Sequence, residues 1–151
     1  MIFDSEIYIV PKISFDYVID SIMHDEGYRT YPYKDSVGKI TIGYGRNIED
    51  NGIDQTEAEI MLHHDIYRAY FIAEGTIPHW HELSDIRKGV FINMAFNLGY
   101  RIKSFKKMIK YLRNKDYTNA SHEMLDSKWA KQVGSRAERL AKELRYDVRQ
   151  T

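Results

Sequence analysis

Glu26, Asp35 and Thr41 fall within one stretch of sixteen residues. Glu26 closes a segment with helical spacing, just ahead of Gly27. The negative end of a helix dipole disfavours a further negative charge, and desolvation between lobes would add to that. A carboxyl kept protonated near neutral pH can give its proton to a leaving group. Asp35 follows in a turn, and Thr41 in a strand punctuated by glycines. Cleavage of a glycosidic bond uses such groups. One carboxylic acid protonates the leaving oxygen, and a carboxylate on the other face of the sugar activates water or attacks carbon.

Each residue also has an ordinary explanation. A helix-end glutamate is commonly a solvated surface group. A turn aspartate commonly hydrogen-bonds its own backbone. Threonine is common in strands. The combination says more than its parts. His63-His64-Asp65 and His79-Trp80-His81-Glu82 raise the question of a metal. Adjacent helical residues point to different faces, and no second ligand group accompanies them. No metal site and no cofactor is expected.

The elements that must position these residues follow from periodicity. Ile7 to Val10 reads as a short strand ended by Pro11. Phe15, Val18, Ile19, Ile22 and Met23 recur at helical spacing, which predicts a helix over 14–26 with Ser14 as N-cap and Gly27 as stop. Over 30–46 the β formers Tyr31, Tyr33, Val37, Ile40, Ile42 and Tyr44 predict a small antiparallel sheet of two or three strands. Asp54-Gln55-Thr56-Glu57 has capping-box spacing. A helix of about 18 residues should follow, with Ala58, Met61, Leu62, Asp65, Ile66 and Ala69 along one side, until Gly75 and Pro78. Ile86 to Leu98 is apolar almost all round and should be buried. Further helices are expected over Ser104–Arg113, Tyr117–Asp126 and Ser135–Val148.

The outline is α+β. Residues 1–12 form an extension, and a small lobe with a β-hairpin spans roughly 13–53. A helix joining the lobes spans roughly 54–74, and an all-helical lobe roughly 75–151. A cleft between lobes is a common place for a site.

Composition narrows the class. The 151 residues are 43% hydrophobic and 29% charged, which is globular. Cysteine is absent, which excludes disulfides, thiol catalysis and thiolate-bound zinc. No apolar run approaches the roughly 20 residues of a membrane span. The acidic start, Met1 to Glu6, does not read as a signal peptide. Net charge is zero, yet residues 1–75 carry −8 and residues 76–151 carry +8. Lys103, Lys106, Lys107, Lys110, Arg113 and Lys115 form a dense basic stretch. An anionic partner is one reading of it and a solvated helix face the other. Nucleic acid is not expected, because no binding motif accompanies the charge.

Asp25-Glu26-Gly27-Tyr28-Arg29, Tyr33-Lys34-Asp35, Gly38 and Thr41-Ile42-Gly43-Tyr44-Gly45 together resemble the catalytic signature of the phage-type lysozymes, glycoside hydrolase family 24, which includes endolysins of T-even phages. The resemblance continues at Asp54–Asp65, at Ile92 to Gly99, at Ser127-Lys128-Trp129 and at Arg136 to Arg139. It covers roughly residues 14–145.

The resemblance implies an inverting muramidase that cuts the β-1,4 bond between N-acetylmuramic acid and N-acetylglucosamine in bacterial peptidoglycan. Glu26 would be the general acid, and Asp35 with Thr41 would position and activate water. Inversion requires carboxyl groups roughly 6.5–9.5 Å apart. Arg136 would lie across the cleft from the acid, and its charge would oppose the helix-end effect. Asn97 and Tyr44 are further candidates for substrate contact. The implied protein is a monomer without membrane insertion. It waits in the host cytoplasm until a holin opens the membrane, then lyses the cell. Lytic transglycosylase chemistry is the first alternative, although it needs no activated water. A non-catalytic wall-binding or virion protein on the same scaffold is the second.

Overall fold

The protein is described from a computed structural model over residues 16–151. The expected strand at Ile7–Val10, the Ser14 cap and Phe15 lie outside the described residues. The described elements are α+β, as expected. The chain divides into two compact units, Met1–Gln55 and Thr56–Thr151.

Among the described residues the first unit starts with α1, Asp16–Glu26. It ends as predicted: Gly27 takes a left-handed φ of 66° and its amide bonds Met23 O at 3.1 Å. No residue of α1 is buried, and its apolar side chains Val18, Ile19, Ile22 and Met23 are 40–50% exposed. Strands β1 (Arg29–Lys34), β2 (Ile40–Gly43) and β3 (Arg46–Asn47) form an antiparallel sheet in that order. Thr41 of β2 faces Tyr33 on one side and Asn47 on the other. The register of β1 shifts between Arg29 and Tyr33. Pro32 lies in that interval, and an edge strand tolerates a residue without an amide hydrogen.

A short helix missing from the sequence expectations follows, α2 (Ile48–Asn51). Its cap is local. Asn47 Oδ1 accepts the Asp50 amide at 3.0 Å, and Gly52 closes the turn at φ 59°. Four residues are too few for hydrophobic periodicity to register.

The second unit opens with α3 (Gln55–Glu74), 20 residues long, whose first residue lies in the first unit. Only Ala69 and Ala73 of it are buried, whereas Met61, Leu62 and Ile66 of the expected stripe are exposed. Helix α4 (Asp85–Leu98) is capped by Ser84, which accepts the Arg87 amide at 3.2 Å. It buries Val90, Phe91, Met94, Ala95 and Leu98, in keeping with its apolar sequence, but Phe96 is exposed.

After Gly99 the chain runs as a 3-10 helix to Ser104, so α5 starts at Lys106 rather than at Ser104. The Ser104 hydroxyl bonds back to Arg101 O at 2.7 Å, which holds it in that turn. Helix α6 (Tyr117–Leu125) is close to its expected limits, with Asp116 as cap. Helix α7 (Lys128–Val133) was not expected. Ser127 caps it and Gly134 ends it at φ 57°. Helix α8 (Ser135–Tyr146) stops before the expected Val148, because Asp147 turns left-handed at φ 55°. Its carboxylate takes the Ser84 hydroxyl and pairs with Arg87. Helix α6 packs on α5 and α8, and α4 packs on α8. Phe91, Met94, Ile102, Leu112, Met124, Leu140 and Leu144 fill the core between them.

Candidate active site

Glu26, Asp35, Thr41 and Tyr44 all belong to the first unit, and the backbone explains how each is held. Glu26 is the last residue of α1 and is exposed. Its carboxyl lies against Gly45, where an added Cβ would stand 2.5 Å from Oε2. Gly45 has φ 75°, which lets the two-residue turn Tyr44–Gly45 carry β2 into β3. Tyr44, in that turn, sets its ring 5.4 Å from Tyr28, next to Gly27. The helix end and the glycine loop thus meet at the acid.

Asp35 forms the local turn that its residue type suggested. Its Oδ1 accepts the amides of Val37 at 2.9 Å and Lys39 at 2.8 Å. Its own amide bonds Lys39 O at 2.9 Å. Among the described residues Oδ2 takes no hydrogen bond. The structural role therefore occupies one oxygen and leaves the other for a ligand or water. Thr41 is only 3% exposed. Its hydroxyl donates to Lys39 O at 3.2 Å, so its lone pairs remain as acceptors.

The peptide groups of Lys39 are therefore shared. Its amide fixes Asp35, and its carbonyl receives both the Asp35 amide and the Thr41 hydroxyl. Asp35 and Thr41 are thus both tied to the backbone of one residue. A carboxylate oxygen and a hydroxyl with free lone pairs are each able to accept a hydrogen from water, and the carboxylate is able to take its proton. Lys39 was not singled out from the sequence. Backbone hydrogen bonds of this kind leave no residue-type signal.

The Lys39 ammonium reaches Asp50 at 2.8 Å and Glu49 at 3.3 Å. Asp50 first and Glu49 second hold it charged beyond the ordinary lysine range. Lys39, followed by Asn47, holds the Asp50 carboxyl below its usual range.

Asn97 and Arg136 belong to the second unit. The Asn97 carbonyl accepts Trp129 Nε1 at 2.9 Å, which leaves its NH2 to donate elsewhere. Arg136 Nε bonds Asn93 Oδ1 at 2.8 Å, and its Nη2 reaches Asn93 O at 3.3 Å. Asn93 and Asn97 are four apart on α4 and share a face. That face anchors Arg136 of α8 and Trp129 of α7. Asn93 was missed as a positioning residue, although its i,i+4 spacing to Asn97 is visible in the sequence.

Among the described residues no group of three His, Asp or Glu gathers in a metal-binding cluster. His79 contacts Arg113 O through Nε2 at 2.9 Å and approaches Glu82 through Nδ1 at 3.5 Å.

Comparison with known proteins shows which family the chain resembles. The model of the family described as phage lysozyme matches residues 23–145, which contain all six candidate residues. Two proteins of Dictyostelium discoideum are similar over most of their length. Probable T4-type lysozyme 1 is 29% identical over 153 aligned residues, covering 80% of this chain and 89% of the relative. Probable T4-type lysozyme 2 is 28% identical over 152, with the same coverage.

Proposed function

The chain belongs to the phage lysozyme family, and from that premise we propose that it is an inverting muramidase. Membership supports a peptidoglycan-cleaving activity of the lysozyme type. The finer reading concerns the bond and the route. The substrate is the β-1,4 bond between N-acetylmuramic acid and N-acetylglucosamine. Glu26 gives its proton to the leaving oxygen as the bond from that oxygen to the anomeric carbon breaks. Water attacks the same carbon from the opposite face and loses its proton to Asp35 Oδ2, while Thr41 Oγ1 orients it. Atoms and charge balance with no cofactor.

The observation that carries this reading is the shared Lys39 backbone. Asp35 Oδ1 and the Thr41 hydroxyl both bond its backbone, Asp35 Oδ2 takes no hydrogen bond among the described residues, and the Thr41 donor is already engaged. The arrangement suits a held water. Tyr44, Asn97 and Arg136 are assigned to substrate binding. The biological reading is a monomeric endolysin that stays in the host cytoplasm until a holin opens the membrane, and then lyses the host by degrading its wall.

Wild type, Glu26→Gln and Asp35→Asn should be incubated with purified peptidoglycan and the fragments identified by mass spectrometry. Reducing-end muramic acid should form with the wild type alone. Asp35→Asn keeps an oxygen for the Val37 and Lys39 amides, so its loss of activity would come without loss of the turn. Anhydromuramic products would replace hydrolysis by transglycosylation and remove Asp35 from the mechanism. Binding without cleavage would make the protein a wall-binding scaffold.

A further inference from the structure

The strand that carries Thr41 is also held by side chains of α2. Glu49 Oε2 accepts the Ile40 amide at 3.1 Å, and its Oε1 receives Lys39 Nζ at 3.3 Å. Asp50 takes the same ammonium at 2.8 Å. Topology explains the need. Strand β2 is central, but β3 reaches only to Asn47, opposite Thr41. The chain then turns into α2 at Ile48, so among the described residues no strand residue faces Ile40 on that side. An amide left there without a partner would have only water to bond. The first-turn carboxylate of α2 supplies the acceptor instead.

The clamped segment is the one that organises the water-activating pair. Lys39 N fixes Asp35 Oδ1 from one side, and Lys39 O fixes Thr41 Oγ1. Glu49 takes the N–H of that same Lys39–Ile40 peptide, on the side opposite its carbonyl. We propose that Glu49 is a positioning residue for the reaction, holding the Lys39–Ile40 segment so that Asp35 and Thr41 keep one mutual geometry. The proposal deepens the hydrolase reading above and rests on it. Glu49 and Lys39 are surface groups, and exposed ion pairs add little to stability. Their consequence is therefore geometric. A displacement of about 1 Å at a reacting group can slow a reaction about 100-fold.

The test compares the full-length wild type with Glu49→Ala and Glu49→Gln. Initial rates on soluble peptidoglycan fragments give kcat and KM. Amide exchange by NMR follows Ile40 and Lys39. Glu49→Ala should lower kcat about tenfold with KM little changed. It should also speed exchange at Ile40 and leave the thermal midpoint nearly unmoved. Glu49→Gln loses the charge but keeps an oxygen for the Ile40 amide, so it should recover most of kcat. Unchanged kcat in Glu49→Ala beside an active wild type overturns the proposal alone. Equal loss in both variants also overturns it, because charge rather than the hydrogen bond would then matter. A wild type that cuts no glycan overturns the hydrolase reading and this proposal with it. Ile40 exchange would separately show whether the clamp exists.

Discussion

Glu26 rests its carboxyl against the bare backbone of Gly45, with the glycine's absent Cβ only 2.5 Å from Oε2 and 2.8 Å from the carboxyl carbon. Gly43, two residues earlier, has a similar φ of 66° but open space where a Cβ would go. The pair separates backbone strain from site geometry. Ala at either position must adopt a left-handed conformation, at a cost of about 1–2 kcal/mol. Only Gly45→Ala must also push Glu26 aside. That carboxyl is the end of a flexible side chain, so it should move rather than unfold the helix end. Both variants should therefore lose similar stability in urea denaturation. At a temperature where both are folded, Gly45→Ala should lose at least about tenfold more kcat than Gly43→Ala. Equal activities would mean that the Glu26 position is not set by this contact.

Asn97 supports a different expectation, which concerns stability before catalysis. Its carbonyl is the acceptor for Trp129 Nε1, and Trp129 is buried. Asn97→Ala leaves that indole N–H without a partner, which should destabilise by about 1–3 kcal/mol. Asn97→Asp retains an acceptor and should lose less. Trp129→Phe removes the donor, so adding Asn97→Ala to it should cost less than the two single changes together. Urea denaturation of the four proteins measures the coupling. Strict additivity would remove the hydrogen bond from the account.

Much of this arrangement was legible in the residues, and the misses have physical causes. Gly27 had to end α1, since its left-handed φ suits glycine, and so Glu26 was placed correctly. The alternation of β formers around three glycines located the sheet that holds Thr41. What periodicity could not show was length and environment. Helices α2 and α7 are 4 and 6 residues long, too short for an apolar stripe, and only their caps, Asn47 and Ser127, betray them. The spacing of Val18, Ile19, Ile22 and Met23 predicted the helix, but spacing does not say what covers a face, and these side chains are exposed. Asp35 was legible as either a turn former or a site residue. The structure makes it a turn former through Oδ1, and Oδ2 remains for the role proposed above. Lys39 holds Asp35 and Thr41 through its own backbone amide and carbonyl, which every residue type possesses, and Glu49 meets a backbone amide rather than a recognisable side-chain partner, so no motif announces either.

Glu82 and Lys115 give a pH signature that is independent of the site. Their ion pair ties the 3-10 turn Trp80–Glu82 to the connection between α5 and α6, where Lys115 itself is left-handed at φ 55°. The Lys115 ammonium, through its hydrogen bond and then its charge, holds the Glu82 carboxyl below its ordinary value of 4.5. In return Glu82 holds Lys115 above its ordinary 10.5. The signs follow from linkage. Glu82's contribution is fully present above 4.5 and is lost as pH falls through its lowered folded value. Lys115's contribution is fully present below 10.5 and is lost as pH rises through its raised folded value. The stability difference between wild type and Glu82→Gln should therefore be widest at intermediate pH and close at both extremes. Both groups are exposed, so the difference should be small and should shrink further in about 1 M salt. Urea denaturation across the pH range measures it. A difference that persists unchanged in strong acid would show that Glu82 acts there by something other than its charge.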